Sequence, residues 1–262
     1  MNLDLSNYTA LVCGSTQGIG KATAIELASL GAKVVLVARN AGALESVCAA
    51  LPRPTNQEHG WLEADFSKPQ EVEAAIKQFI NNGNQVHILV NNTGGPPAGP
   101  IADATTAAFL AAFEQHLVCN HLLMQAVIPG MKEAKYGRVI NVISTSVKQP
   151  LKGLGVSNTI RAAVANWSKT LSIELAPFGI TVNNVLPGAT ATQRLSSIIE
   201  NKSKKLNHSV DEVEQEMLNE IPAGRFAQPE EIAAAIAFLA SPAASYINGI
   251  NVPVDGGRTG CL

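Results

Sequence analysis

Residues 13–20, Cys13-Gly14-Ser15-Thr16-Gln17-Gly18-Ile19-Gly20, form a glycine-spaced turn between a short apolar run and a helical pattern. That context gives the turn a chemistry. Glycine lets the backbone approach a pyrophosphate closely, and the amino end of the following helix offers free amides and a partial positive charge. A second set lies further along. Ser144 is followed by a second hydroxyl at Ser157 and a guanidinium at Arg161. Ser157 and Arg161 are four apart, so on a helix they share one face. His116 adds an imidazole whose ordinary pKa lies near neutrality. Lys148 and Lys152 add two amines able to donate to a carbonyl or carboxylate.

Side chains so far apart need a scaffold that gathers them. Short apolar runs at 8–13, 33–38, 60–64, 86–90, 138–143, 180–186 and 250–254 alternate with helical patterns at 19–30, 41–50, 69–80, 106–131, 157–176 and 230–240. The near-continuous β-branched run at 33–38 suits a strand buried on both faces. The alternation predicts an α/β fold: a Rossmann-type, doubly wound parallel sheet of about seven strands with helices on both faces. No linker or repeat interrupts it, so 1–262 reads as one domain. The polar stretch 189–223 breaks the rhythm after the sixth strand. Ligands of such sheets sit beyond the carboxyl ends of the strands, so this stretch is expected to form a substrate lid.

Composition narrows the partners. Hydrophobic residues make up 46% of the 262, the formal net charge is −2 and the basic residues are scattered. These values exclude a disordered chain and point away from nucleic acid and anionic membranes. No apolar run reaches membrane-spanning length, and 1–8 lacks the pattern of a signal peptide. Cys13, Cys48, Cys119 and Cys261 show no paired spacing and read as free thiols of a cytoplasmic protein. No metal site is expected.

The motifs also carry a resemblance. Gly14-xxx-Gly18-Ile19-Gly20 has the spacing of the glycine motif of the short-chain dehydrogenases/reductases. Asn91-Asn92-Thr93-Gly94, Pro187-Gly188 and Val254-Asp255-Gly256-Gly257 follow in that family's order. From about Tyr8 to Gly257 the chain resembles the classical type, in particular its 3-oxoacyl-(acyl carrier protein) reductase-like branch; Cys13 stands where the family usually has threonine. The resemblance implies that Gly14, Ser15, Thr16, Gln17, Gly18, Ile19 and Gly20 wrap a dinucleotide. It implies that Asp65 and Phe66 contact the adenine, and that Asn91, Thr93 and Gly94 lie on the ribose side. Ile180, Pro187, Gly188, Thr190 and Thr192 are expected near the nicotinamide end. An acid at the end of the second strand would select NAD by repelling a 2′-phosphate. Here Ala38 is followed by Arg39, which can pair with a phosphate, so NADP(H) is expected over NAD(H).

The family works with a serine, a tyrosine, a lysine and a supporting asparagine. Aligned on the flanks 138–143 and 162–169, Ser144 falls at the serine, Ser157 at the tyrosine, Arg161 at the lysine and His116 at the asparagine. A serine hydroxyl is a far weaker acid than a phenol. Arg161 keeps a charge for the nicotinamide ribose but is no tunable acid. Tyr8 and Tyr136 are expected at amino ends of strands, and Tyr246 just before the last strand. Three functions follow. The first is an NADP(H)-dependent oxidoreductase moving a hydride between cofactor and a carbonyl or alcohol, such as a 3-oxoacyl compound or small ketone. The second is a silent dinucleotide-binding sensor or partner subunit. The third is a non-redox lyase or isomerase with His116 or a lysine as base. The resemblance further implies a homo-oligomer, a tetramer, paired through the long helix, the 157–176 helix and the C-terminal elements.

Overall fold

A computed structural model describes residues 1–261. Seven strands pair in parallel: β1 (Thr9–Cys13), β2 (Lys33–Ala38), β3 (Gly60–Glu63), β4 (Ile88–Asn91), β5 (Gly137–Val142), β6 (Ile180–Pro187) and β7 (Asn251–Val254). Their order is 3-2-1-4-5-6-7. The connecting helices are α1 (Gly18–Ser29), α2 (Ala41–Ala50), α3 (Pro69–Asn81), α4 (Thr106–Phe113), α5 (Cys119–Ala134), α6 (Gly155–Leu175), α7 (Gln193–Leu206), α8 (Val210–Asn219) and α9 (Pro229–Ala240). The Rossmann-type sheet read from the sequence is the sheet observed.

Alternate residues of the same strands feed two cores. Val12, Val34, Leu36 and Val90 pack with α1, α2 and α9 on one face. Leu11, Val35, Leu89 and Val139 pack with α3, α5 and α6 on the other. Burial on both faces is why the strands read as continuous apolar runs. After β3 the chain returns to lay β4 beside β1. The strand order reverses there, and a crevice opens beyond the carboxyl ends.

Two expectations need correction. The helix expected over 106–131 is α4 and α5 joined by a π-helical turn, Glu114–Val118. The inward positions Ala112, His116, Asn120, Leu123 and Val127 keep a helical rhythm across the wide turn, so periodicity does not reveal it. Ile180 is the first residue of β6 and packs beneath Gly137 at the amino end of the sheet. A strand has one direction, and the crevice end of β6 is Pro187.

Residues 189–223 form α7 and α8 around Leu195, Ile199 and Val213. Thr192 caps α7 by accepting from Leu195 N, and Ser209 with Glu212 makes a capping box on α8. Among the described residues no helix is long and apolar enough to cross a membrane.

Candidate functional site

At the carboxyl end of β1 the chain turns into α1. Gly14 has φ +58°, and a side chain there would begin 2.5 Å from Asn92 O, so the position needs glycine. Gly20 lies against Gly14 O with no room for a Cβ, which brings α1 down onto the loop. The α1 amino end is left open. Gln17 makes no side-chain cap bond and no acid stands in the first turn. Unpaired amides and the helix dipole there suit an anion, so the turn containing Thr16, Gln17 and Ile19 fits a dinucleotide's diphosphate. Ser15 serves differently. Its buried hydroxyl accepts from Val37 N at 3.1 Å and ties the loop to β2, leaving only its backbone for a ligand.

Arg39 is exposed just past β2 and forms no ion pair among the described residues. It borders a surface depression with Glu63, Asp65 and Lys68. Hydrogen bonds from Ser67, with Arg39 and Lys68 nearby, hold the Asp65 carboxyl below its usual range. Phe66 is buried, and its carbonyl accepts from Cys119 Sγ at 3.4 Å. Asn91 ends β4, but its amide donates to Asn141 Oδ1 at 2.8 Å, inside the sheet. Gly94 is exposed at the crevice. Past β6, Gly188 N donates to Val254 O at 3.0 Å. The Thr190 hydroxyl is turned inward, donating to Gly188 O at 3.1 Å. The Thr192 methyl lies 3.1 Å from where a side chain on Gly18 would begin, so the chain beyond Pro187 closes on the glycine loop.

Ser144 follows β5 and caps the short 3-10 turn Thr145–Val147, accepting from Ser146 N at 3.1 Å. Its own proton stays free to donate. Arg161 is buried, and its Nη1 donates to Val142 O at 2.7 Å, two residues before Ser144. Ser157 is half-buried one turn earlier on that face of α6. The π turn carries His116 inward. The Thr93 hydroxyl and His116 Nδ1 share a 2.6 Å hydrogen bond, while Nε2 is buried with no partner among the described residues. Burial, then the charges of Arg161 and Arg194, push this imidazole down to about 3. The expected titration near neutrality is therefore corrected: His116 is a neutral hydrogen-bonding group.

The other candidates make no hydrogen bond to this cluster among the described residues. Lys152 is exposed and Lys148 half-buried in the turn leading to α6. Tyr8 and Tyr136 stack at 3.9 Å at the amino ends of β1 and β5, and the Tyr136 hydroxyl donates to Ala240 O at 2.7 Å. Tyr246 is fully exposed ahead of β7. No tyrosine reaches the crevice.

Comparison with known proteins gives this site a lineage. A family model described as enoyl-(acyl carrier protein) reductase matches residues 14–259. The chain is 34% identical over 254 residues to the NADPH-dependent reductase BacG of Bacillus subtilis, covering 97% of this chain and 98% of that one. It is 35% identical over 257 residues to the 3-oxoacyl-(acyl-carrier-protein) reductase FabG of Vibrio cholerae, again covering 97% and 98%. The chain belongs to the short-chain dehydrogenase/reductase family. Solved members superpose closely. YwfH, an NADPH-dependent reductase involved in bacilysin biosynthesis, matches with TM-score 0.91 at 32% identity over 98% of this chain and 100% of that one. The L-sorbose reductase of Gluconobacter frateurii, complexed with NADPH and L-sorbose, matches with TM-score 0.92 at 30% identity over 100% of both.

Two residues of this short-chain dehydrogenase/reductase have roles that the motifs alone do not assign. Asn92 Nδ2 lies 3.3 Å from both Cys13 O and Gly14 O and fastens the glycine loop to the end of β4. Its signal was its place in the Asn91-Asn92-Thr93-Gly94 motif. Arg194, in the first turn of α7, donates from Nη2 to Pro96 O at 3.0 Å and so bridges the crevice. Only its position just after Thr192 hinted at a role.

Proposed function

We propose that the chain is an NADPH-dependent reductase of a carbonyl substrate, working without the family's tyrosine. The observation that carries this reading is convergence. Arg161 is anchored on the last residue of β5 beside Ser144, and His116 reaches the same cluster with a free Nε2, next to a helix end open to a diphosphate. The chemistry supplied by bound NADPH is a hydride for the carbonyl carbon. Ser144 donates to the carbonyl oxygen and stabilises the charge it gains. Ser157, one turn before Arg161, assists. Neutral His116 adds a donor when Thr93 supplies the proton of their shared bond. Arg161 takes the lysine's place beside the nicotinamide ribose. The proton that completes the alcohol comes from solvent through these hydroxyls.

Arg39 with Ala38, in place of an acid, favours NADP(H) over NAD(H). We further propose that 1–262 is one cofactor-binding domain with α7 and α8 as its lid, and that it works in the cytoplasm as a homotetramer. Leu110, Phe113 and Ile173, exposed on α4 and α6, support pairing through those helices. Light scattering that shows a monomer at micromolar concentration would remove the tetramer.

The deciding experiment follows NADPH oxidation by the purified protein over a panel of ketones and 3-oxoacyl thioesters. Turnover with at least one compound is expected. NADPH binding without turnover on any would favour a silent binding protein. The paired substitution Ser157→Tyr with Arg161→Lys is expected to turn over faster than Ser157→Tyr alone. A crystal structure with NADPH in which Ser157 or Arg161 faces away from the nicotinamide would overturn the alignment.

A further inference from the structure

Arg161 and Arg194 meet over Gly95. A side chain on Gly95 would begin 3.1 Å from Arg194 Nη2 and 3.7 Å from Arg161 Nη2. Arg161 is only 8% exposed. Each guanidinium bonds one backbone carbonyl, Val142 O and Pro96 O. Neither pairs with an acid: every ion pair among the described residues lies elsewhere. The first turn of α7, which carries Arg194, holds no acid either. Their titratable neighbour His116 has a buried Nε2 with no partner among the described residues and supplies no negative charge. Two like charges brought together, one of them buried, oppose folding unless an anion joins them. Their carbonyl partners leave most of ten N–H donors free to serve one.

We propose that the crevice takes a substrate bearing a carboxylate, gripped between Arg161 and Arg194 while its reducible carbonyl faces Ser144. This rests on the reductase reading above. Position separates the anion from the cofactor's phosphates. The diphosphate cradle lies at the β1–α1 turn, where Thr192 touches Gly18. From Thr192 the chain moves on, and Arg194 reaches the loop after β4 while Arg161 holds the end of β5. The pair thus flanks Ser144 and His116. A planar carboxylate can accept from both guanidinium edges at once.

The test compares pyruvate, acetoacetate and levulinate with their methyl esters in NADPH oxidation. Calorimetry on the NADP-loaded protein uses levulinate and, separately, inorganic phosphate. At least one acid is expected to beat its ester by about tenfold or more in kcat/KM, the scale of a charge-assisted hydrogen bond. Arg194→Gln should bring that preference close to one and abolish levulinate heat, while Arg194→Lys keeps part of both. NADPH affinity should not change in either variant. Esters reduced as well as acids would overturn the proposal, as would phosphate binding more tightly than levulinate. Weakened NADPH binding in Arg194→Gln would assign Arg194 to the cofactor instead. Levulinate binding that depends on Arg194, with no compound reduced, would sustain the anion site while sinking the reductase reading.

Discussion

Asn91 donates its side-chain amide to Asn141 Oδ1 at 2.8 Å, and the two sit opposite each other on β4 and β5. The row continues. Asn141 donates to Asn184 Oδ1 at 3.0 Å, and Asn184 to Asn251 Oδ1 at 2.8 Å, each pair in register on adjacent strands. Four amides thus cross the sheet just beneath the crevice floor. Buried amides in a low-dielectric sheet are stable only when paired.

Asn141 lies inside that row, so its loss strands a donor on Asn91 and an acceptor on Asn184. Asn141→Ala should cost roughly 2 to 6 kcal/mol, one to three for each orphaned group. The midpoint of urea unfolding, measured without cofactor, reads this directly. A loss below about half a kcal/mol would mean that the row is ornamental to stability.

Arg39 forms no ion pair among the described residues and stands past the end of β2. Arg39→Ala should weaken NADPH binding by about 1.5 to 3 kcal/mol, the range for a hydrogen bond to a charged group, and leave NADH binding nearly as it was. Titration calorimetry with both cofactors is the check. Equal losses would show that Arg39 does not read the 2′-phosphate.

Ser144 accepts from Ser146 N and keeps its proton for a substrate oxygen. Ser144→Ala should lower kcat by about a hundredfold or more, comparable to losing an oxyanion donor. Losing the cap should cost about 1 kcal/mol of stability, too little to explain that fall. If turnover stays intact in the mutant, the oxygen is polarised by another group, with His116 Nε2 the nearest replacement.

The His116 imidazole titrates near 6.5 in an unfolded chain and is pushed down to about 3 by burial and the two arginines. Between those values the unfolded state binds the extra proton, so stability rises with pH across the window. The contribution is complete above about pH 6.5 and is lost as pH falls toward 3. The slope approaches 1.4 kcal/mol per pH unit. Stability should therefore drop by roughly 2 kcal/mol from pH 7 to pH 5, and His116→Asn should flatten that drop. Parallel curves for the two proteins in denaturant titrations would refute it.

How much the sequence disclosed depended on the range of the cause. Val34 to Val37 were legible as strand because burial on both faces writes a continuous apolar run. Gly14, Gly18 and Gly20 were legible because their spacing sits between such a run and a helix. Arg194 was not, because its meaning comes from Gly95 and Arg161, which only the folded chain brings to it. The same holds for His116, whose protonation depends on burial and on those two distant cations. Ile180 was misplaced because a motif transferred by resemblance says which strand a residue is on more surely than which end. Ser15 looked like a ligand residue, yet its hydroxyl serves β2.

The π turn at Glu114–Val118 holds one residue more than an α-helix would use. Deleting a single residue there would let α4 and α5 fuse into ordinary helix. The wide turn absorbs the extra residue, so α4 and α5 would keep their faces and only the side chains within the turn would change direction. His116 would leave the crevice and a neighbour would take its place, with the helix itself intact. Gain or loss of one residue, rather than exchange of one for another, is thus a route by which this scaffold can retool what faces its substrate.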